Sequence, residues 1–193
     1  MTLVALLRHA PTAWNLERRM QGRHDLALTP AAQADYAIRR IPDSCPRFRV
    51  LTSPLARARQ TAALLGLAAT VEKRLIEMDW GRYEGRTIAA LREDASFVLN
   101  EARGLDFQPP GGESPRAVQA RLKPLLAEIA IGHEPTLCVT HRGVIRAIYA
   151  LARDWAMVGR PPDKLAPDAL QIFALDDAGR PRIAQLNVAL VPR

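Results

Sequence analysis

The chain has 193 residues, 48% of them hydrophobic and 24% charged, which suits a globular fold with a sizeable core and excludes a disordered or collagen-like chain. It contains no run of 18 apolar residues, so no transmembrane helix is expected, and the short apolar start MTLVALLRHAPT lacks the basic region and cleavage site of a signal peptide. Lys and Arg number 27 against 20 Asp and Glu, leaving a net charge of +7 that is almost wholly arginine, since only Lys73, Lys123 and Lys164 are lysines.

In chain order, residues 2–7 (TLVALL) form an apolar run that stops at Arg8-His9, the pattern of a buried strand in a parallel sheet. A polar loop follows over 10–28. Thr29-Pro30 then opens a helix over TPAAQADYAIRR, with threonine as N-cap and proline in the first turn. Residues 48–52 (FRVLT) predict a second strand, and Ser53-Pro54 repeats the cap-and-proline signal before ARARQTAALLGL. Residues 70–75 (TVEKRL) read as a third, weaker strand. From Glu77 to Gly112 the pattern changes: Trp80, Tyr83, Phe97 and Phe107 lie between weak helix signals, and the stretch is expected to be an inserted, lid-like segment at about 78–112 of one domain spanning 1–193. Ser114-Pro115 opens a third helix, PRAVQARLKPLLAEIA, in which Pro124 predicts a kink or shift. Residues 136–140 (TLCVT) form another buried strand ending at His141, followed by a helix over 143–153. Two late strands, 169–176 and 182–189, flank the turn DDAGR. Strands alternating with helices predict an α/β fold with helices on both faces of the sheet. Cys45 and Cys138 cannot build a disulfide framework, and reduced thiols in a cytoplasmic protein are expected.

Open α/β sheets bind ligands beyond the carboxyl ends of their strands. Three such ends carry polar chemistry here. The first is Arg8-His9. The second is Thr52-Ser53, with Arg57 one turn into the next helix. The third is His141-Arg142-Gly143. Arginine suits phosphate because its planar fork donates two parallel hydrogen bonds and stays charged. Helix N-termini add backbone donors in the same place. These residues predict an anion site, for a phosphoryl group, with histidine chemistry.

The same residues carry a family resemblance. Arg8-His9 in LLRHAPTAWN, followed by Arg19, Gln21-Gly22 and Leu28-Thr29, resembles the opening of the histidine phosphatase superfamily, the phosphoglycerate mutase-like proteins. SPLARARQTA at 53–62, IEMDWGRYEG at 76–85, PGGES at 110–114 and VTHRGVIRA at 139–147 continue the match in order. The resemblance implies a three-layer α/β/α sandwich with a mostly parallel sheet and an antiparallel edge strand. It makes His9 the nucleophile that becomes a phosphohistidine, and places Arg8, Arg57 and a protonated His141 around the phosphate. Glu77 becomes the proton donor, with Thr12, Asn15, Gln21 and Gly22 on the substrate side. Glu84, the rival acid, is expected to be structural and paired with an arginine. No metal and no cofactor are implied. The family usually has glycine where this chain has Ala10, which would cost about 1 kcal/mol or more if that backbone were left-handed.

The implied reaction is phosphomonoester hydrolysis on a small phosphorylated substrate. The chain is short, and it reads Glu77-Met78-Asp79-Trp80-Gly81 where the mutases typically read Arg-His-Tyr-Gly after the acid. A mutase-type phosphotransfer and a phospho-ligand binding protein without turnover are the alternatives. Nucleic acid is not expected as a partner, because the arginines are scattered over every helix and several loops, nor is a membrane. A homodimer through the exposed last strand is allowed by the pattern.

Overall fold

The computed structural model describes all residues, 1–193. In chain order the elements are β1 (Thr2–Arg8), α1 (Ala13–Leu16), α2 (Pro30–Ala37), β2 (Arg39–Arg40), β3 (Arg49–Thr52), α3 (Ala56–Leu64) and β4 (Thr70–Val71). They continue with α4 (Ile88–Arg92), α5 (Ala95–Glu101), α6 (Pro115–Gly132), β5 (Thr136–Thr140), α7 (Arg142–Arg153), β6 (Ala169–Leu175), β7 (Pro181–Ala189) and β8 (Val191–Pro192). The main sheet has the order β4-β3-β5-β1-β6-β7. Its first four strands run parallel, β6 runs antiparallel to β1, and β7 returns antiparallel to β6 at the edge.

Alternation along β1 divides the core into two layers. Val4 and Leu6 face one side, in a cluster of 23 buried residues with Leu122, Leu126, Ile129, Val144, Ile148 and others from α6 and α7. Ala5 and Leu7 face the other, with Ala32 and Tyr36 of α2. Ala58 and Ala62 bring α3 onto Val139 on that side too. A strand covered on both faces reads as a continuous apolar run because neither alternating set meets water. The result is an α/β/α sandwich. No helix is long and apolar enough to cross a membrane.

Two of the three cap signals act as expected. Thr29 Oγ1 accepts from Ala32 N at 3.2 Å, and Ser114 Oγ accepts from Ala117 N at 3.1 Å. The third does not. Leu55 is the N-cap of α3 and makes no side-chain cap, and Ser53 serves the site instead. α2 is shorter than the pattern suggested, because Arg39-Arg40 leave the helix to pair with β8 near the C-terminus. β4 is only two residues long, and Lys73–Leu75 form a 3-10 turn rather than strand. α6 runs unbroken through Pro124 over its 18 residues.

Within 77–112, Tyr83, Phe97 and Phe107 are buried and belong to the larger cluster. Tyr83 and Phe97 meet edge to face at 5.3 Å, and Phe97 and Phe107 at 5.8 Å. Such pairs contribute about 0.5–1.5 kcal/mol each beyond their burial. This aromatic packing ties the segment to the α6–α7 layer beside the carboxyl ends of the strands.

Candidate active site

Adjacent parallel strands bring three chain segments together at one edge. His9 N donates to Thr140 O at 2.9 Å, and Ser53 N donates to Val139 O at 3.0 Å. The ends of β1, β3 and β5 are therefore level, and the His9 and His141 rings lie 5.2 Å apart. His9 is buried, and its Nδ1 lies 2.7 Å from the Ala10 carbonyl. A carbonyl only accepts, so Nδ1 carries the proton and Nε2 keeps a free lone pair. Burial, then the charges of Arg8 and Arg57, hold this histidine well below its ordinary pKa and so keep it neutral.

Ala10 does not have a left-handed backbone, so alanine is accommodated here without strain. Its N–H donates to Thr61 Oγ1 at 2.9 Å, and that hydroxyl donates to Arg57 O at 2.7 Å. The loop after β1 is thus tied to α3.

Arg57 is fully buried, and it is gripped at each nitrogen. Nη2 donates to Gly22 O at 2.7 Å, Nη1 to His24 O at 2.8 Å, and Nε to His141 Nδ1 at 3.3 Å. Burial brings its pKa down to about 10, which leaves it charged near neutral pH. Because Nδ1 of His141 accepts from Arg57, the ring proton sits on Nε2, which donates to Ser53 Oγ at 2.7 Å. Burial first, then His9, Arg57, Arg8 and Arg121, push the His141 pKa well down. The free site holds a neutral His141, where the resemblance implied a charged one. A charged ring requires an anion beside it.

Glu77 is also buried, with both oxygens on backbone N–H groups. Oε1 accepts from Met78 at 2.8 Å and Oε2 from Gly143 at 3.2 Å, in the first turn of α7. Any Cβ on Gly143 would lie 2.3 Å from Oε1, so glycine is what lets the carboxylate approach. Glu84 does not pair with an arginine side chain. Its Oε1 accepts from Arg23 N at 2.7 Å and Trp80 N at 3.4 Å. It lies over Gly22, which has φ +51° and whose added Cβ would fall 1.9 Å from that oxygen. Glu84 therefore braces the turn whose carbonyls grip Arg57.

Thr12, Asn15 and Gln21 form one network beside the pocket. Thr12 Oγ1 lies 3.2 Å from Asn15 Oδ1 and 3.1 Å from Gln21 Oε1, and Asn15 Nδ2 donates to Gln21 Oε1 at 3.3 Å. This fixes the Gln21 amide and leaves its Nε2 buried without an acceptor, as is Arg8 Nε. Buried donors are normally satisfied. Two that are not, both on residues proposed to face phosphate, are the donor set an anion would complete. Gly22 contributes its carbonyl to Arg57 rather than a group of its own. His24 is exposed and stacks on Trp14 at 4.5 Å.

Thr61 takes part in the arrangement beyond the residues singled out by sequence, and Ser53 and Gly143, read there only as parts of polar strand ends, take specific partners in it. Ser53 was masked by its cap-like Ser-Pro context, and Thr61 is 51 residues from Ala10 in the chain. Gly143 left a signal: a glycine in a helix's first turn implies a close approach. No three His, Cys, Asp or Glu side chains converge as a metal site.

A neutral imidazole is thus set among guanidinium groups at the carboxyl edge of an open α/β sheet. The chain belongs to the histidine phosphatase superfamily (branch 1), whose family model matches residues 4–189. It is 30% identical over 189 residues to phosphoglycerate mutase-like protein 4 of Arabidopsis thaliana, covering 92% of this chain and 81% of that one. It is 31% identical over 163 residues to glucosyl-3-phosphoglycerate phosphatase of Mycobacterium tuberculosis, covering 76% and 73%. Among solved structures it resembles Bacillus stearothermophilus YhfR, with a TM-score of 0.80, 27% identity, and coverage of 95% and 96%.

Proposed function

We propose that the protein hydrolyses small phosphomonoesters through a phosphohistidine on His9. The observation that carries this is the locked Nδ1 of His9, 2.7 Å from the Ala10 carbonyl, which leaves Nε2 as a neutral nucleophile beside Arg8, Arg57 and His141. In the first step Nε2 attacks phosphorus, the ester P–O bond breaks, and the departing oxygen takes a proton from Glu77. In the second, water attacks the phosphohistidine, Glu77 takes its proton, the P–N bond breaks and orthophosphate leaves. Arg8 and Arg57 stabilise the charge that spreads over the equatorial oxygens, with Gln21 Nε2 as a further donor. With Nδ1 accepting from Arg57, His141 acts here as a neutral donor through Nε2. A phosphatase among the relatives at 31% identity supports hydrolysis.

The test is phosphate release from a panel of phosphomonoesters in EDTA, with His9→Ala alongside the wild type. Turnover in EDTA that the substitution abolishes, with an acid-labile phosphoryl label trapped on the wild type, is expected. Turnover that survives His9→Ala, or that requires a bisphosphate primer and releases no free phosphate, overturns the reading.

A further inference from the structure

The motif PGGES at 110–114 has no role in the chemistry above, yet it meets the backbone around Glu77. Gly112 approaches Asp79 so closely that an added Cβ would lie 2.6 Å from its carbonyl oxygen. Glu113 N donates to the same oxygen at 2.8 Å, and Ser114 caps α6. Glu113 is thus held between a tied loop and the start of a helix.

Its carboxylate receives two arginines. Arg121 of α6 donates to Oε1 from Nε at 2.9 Å and to Oε2 from Nη2 at 3.2 Å, a two-point pairing. Arg23 donates to Oε2 from Nη2 at 3.3 Å, and its Nη1 lies 3.5 Å from Asp79 Oδ2. The Glu113 and Arg121 side chains are only 14% and 18% exposed, so solvent screens this pair less than a surface pair.

Both arginines send other donors to carbonyls beside Glu77. Arg121 Nη2 donates to Ile76 O at 2.7 Å, and its Nη1 donates to Arg74 O. Arg23 Nε donates to Glu77 O at 3.3 Å. Ile76 O and Glu77 O belong to the two peptide units that meet at the Glu77 Cα. Peptide units are planar, so holding both fixes the direction in which the side chain leaves the backbone. The second unit does more. It presents Glu77 O to Arg23 on one side and Met78 N–H to Glu77 Oε1 on the other, at 2.8 Å. That plane cannot tilt away from Arg23 without carrying the N–H off the carboxylate.

We propose that Glu113 is a positioning residue for Glu77, acting through Arg121 and Arg23. The inference rests on the phosphomonoesterase reading, in which Glu77 protonates the leaving oxygen. Glu113 itself touches no reacting atom. Through Arg23 it also ties the acid to the phosphate pocket, because the neighbouring carbonyls of Gly22 and His24 grip Arg57. One carboxylate keeps the proton donor in register with the guanidinium that binds the phosphoryl group.

The experiment uses Glu113→Gln, which keeps the side chain's size and removes the charge that holds both arginines. Its kcat on an alkyl phosphate should fall about 10-fold or more, since a reacting group misplaced by about 1 Å costs about 10²-fold. KM for that ester and inhibition by inorganic phosphate should change by less than about 2-fold, because Arg8 and Arg57 are untouched. Single-turnover release of p-nitrophenol from p-nitrophenyl phosphate should persist, because that leaving group needs no proton. Arg23→Gln should give the same split at smaller size. Its side chain is 39% exposed and its N–H stays on Glu84, so it keeps the test valid if Glu113→Gln unfolds. Equal loss on both leaving groups, a matching loss of phosphate binding, or unchanged turnover in both variants overturns the positioning role.

Amide hydrogen exchange reads the same arrangement without turnover. Met78 and Gly143 donate their N–H groups to the Glu77 carboxylate, and Gly143 lies in a first helical turn, where no intrahelical acceptor exists. Exchange at both should speed up about 10-fold in Glu113→Gln, as local opening becomes easier. Unchanged exchange overturns the inference. Faster exchange in a protein whose wild type releases no phosphate supports the positioning of Glu77 and refutes the hydrolytic reading alone.

Discussion

Gly143→Ala separates the proton-transfer role of Glu77 from the integrity of the fold. The added methyl would lie 2.3 Å from Glu77 Oε1 and 3.2 Å from Met78 Cβ. Relief to ordinary contact requires the carboxylate to move roughly 1 Å, and carbon contacts settle near 3.5–4.0 Å. The 3.2 Å bond from Gly143 N to Oε2 is lost or stretched as it moves. Misplacement of a reacting group by that distance costs about 10²-fold in rate. Alanine in a helix is otherwise worth up to ~1 kcal/mol over glycine, so the melting temperature should hold or rise by a few degrees while activity falls. The assay uses two leaving groups. An alkyl phosphate leaves as a strongly basic oxygen that needs a proton, and its turnover should fall about 10²-fold. p-Nitrophenyl phosphate leaves without one, so its pre-steady-state burst should persist, followed by slow turnover because water still needs Glu77 as a base. Equal loss of the burst and of alkyl phosphate turnover would refute the assignment of Glu77. A drop of several degrees in melting temperature would show that the backbone, and not the carboxylate, absorbs the clash.

Acidification should destabilise the fold through its two buried histidines. Their folded pKa values lie well below the unfolded value near 6.5, so below about pH 6.5 the unfolded chain binds more protons and stability falls with pH, by up to ~1.4 kcal/mol per pH unit for each histidine. Urea melts between pH 7.5 and 5.5 should show a shallower pH slope for His9→Gln, and identical slopes would contradict a neutral, buried His9. Ser53→Ala leaves the His141 Nε2 proton without its 2.7 Å acceptor in a fully buried place, and should cost ~1–3 kcal/mol, read as a lower melting temperature together with weaker inorganic phosphate binding. An unchanged melt would show that His141 does not depend on that hydroxyl.

What could be read from sequence follows the range of the signals. The strand run 2–7 was legible because a strand buried on both faces is apolar at every position, and its polar stop at Arg8-His9 marked the carboxyl end of the strand. Ser114-Pro115 was legible because a cap is a local bond spanning three residues. Ser53-Pro54 looks the same locally, yet His141, 88 residues away, takes the serine hydroxyl and the helix begins at Leu55 instead. The end of α2 failed similarly, since Arg39-Arg40 answer to a C-terminal partner, Val191–Pro192, that has almost no strand signal of its own. The motif residues named the family. The carbonyls of Gly22 and His24 that orient Arg57 bear no signature, because every residue has one, and only the left-handed Gly22 hints at the turn that presents them.

The excess of arginine resolves by burial rather than by number. Exposed guanidinium groups keep their water and need no partner, so a scattered surface excess carries little functional information. Some partly buried ones are neutralised, as Arg74 is between Glu72 and Glu128. Others become braces: Arg121 donates to Ile76 O at 2.7 Å and pairs with Glu113 at 2.9 Å, which steadies the backbone immediately before Glu77. Arg57 is fully buried, Arg8 and Arg146 are half-buried, and none of the three has a carboxylate partner. An unpaired buried cation costs several kcal/mol. Arg57 offsets part of that cost with the Gly22 and His24 carbonyls. Arg8 and Arg146 each keep a buried Nε donor without a partner. The excess positive charge thus carries energetic weight at a few buried donors rather than across the surface.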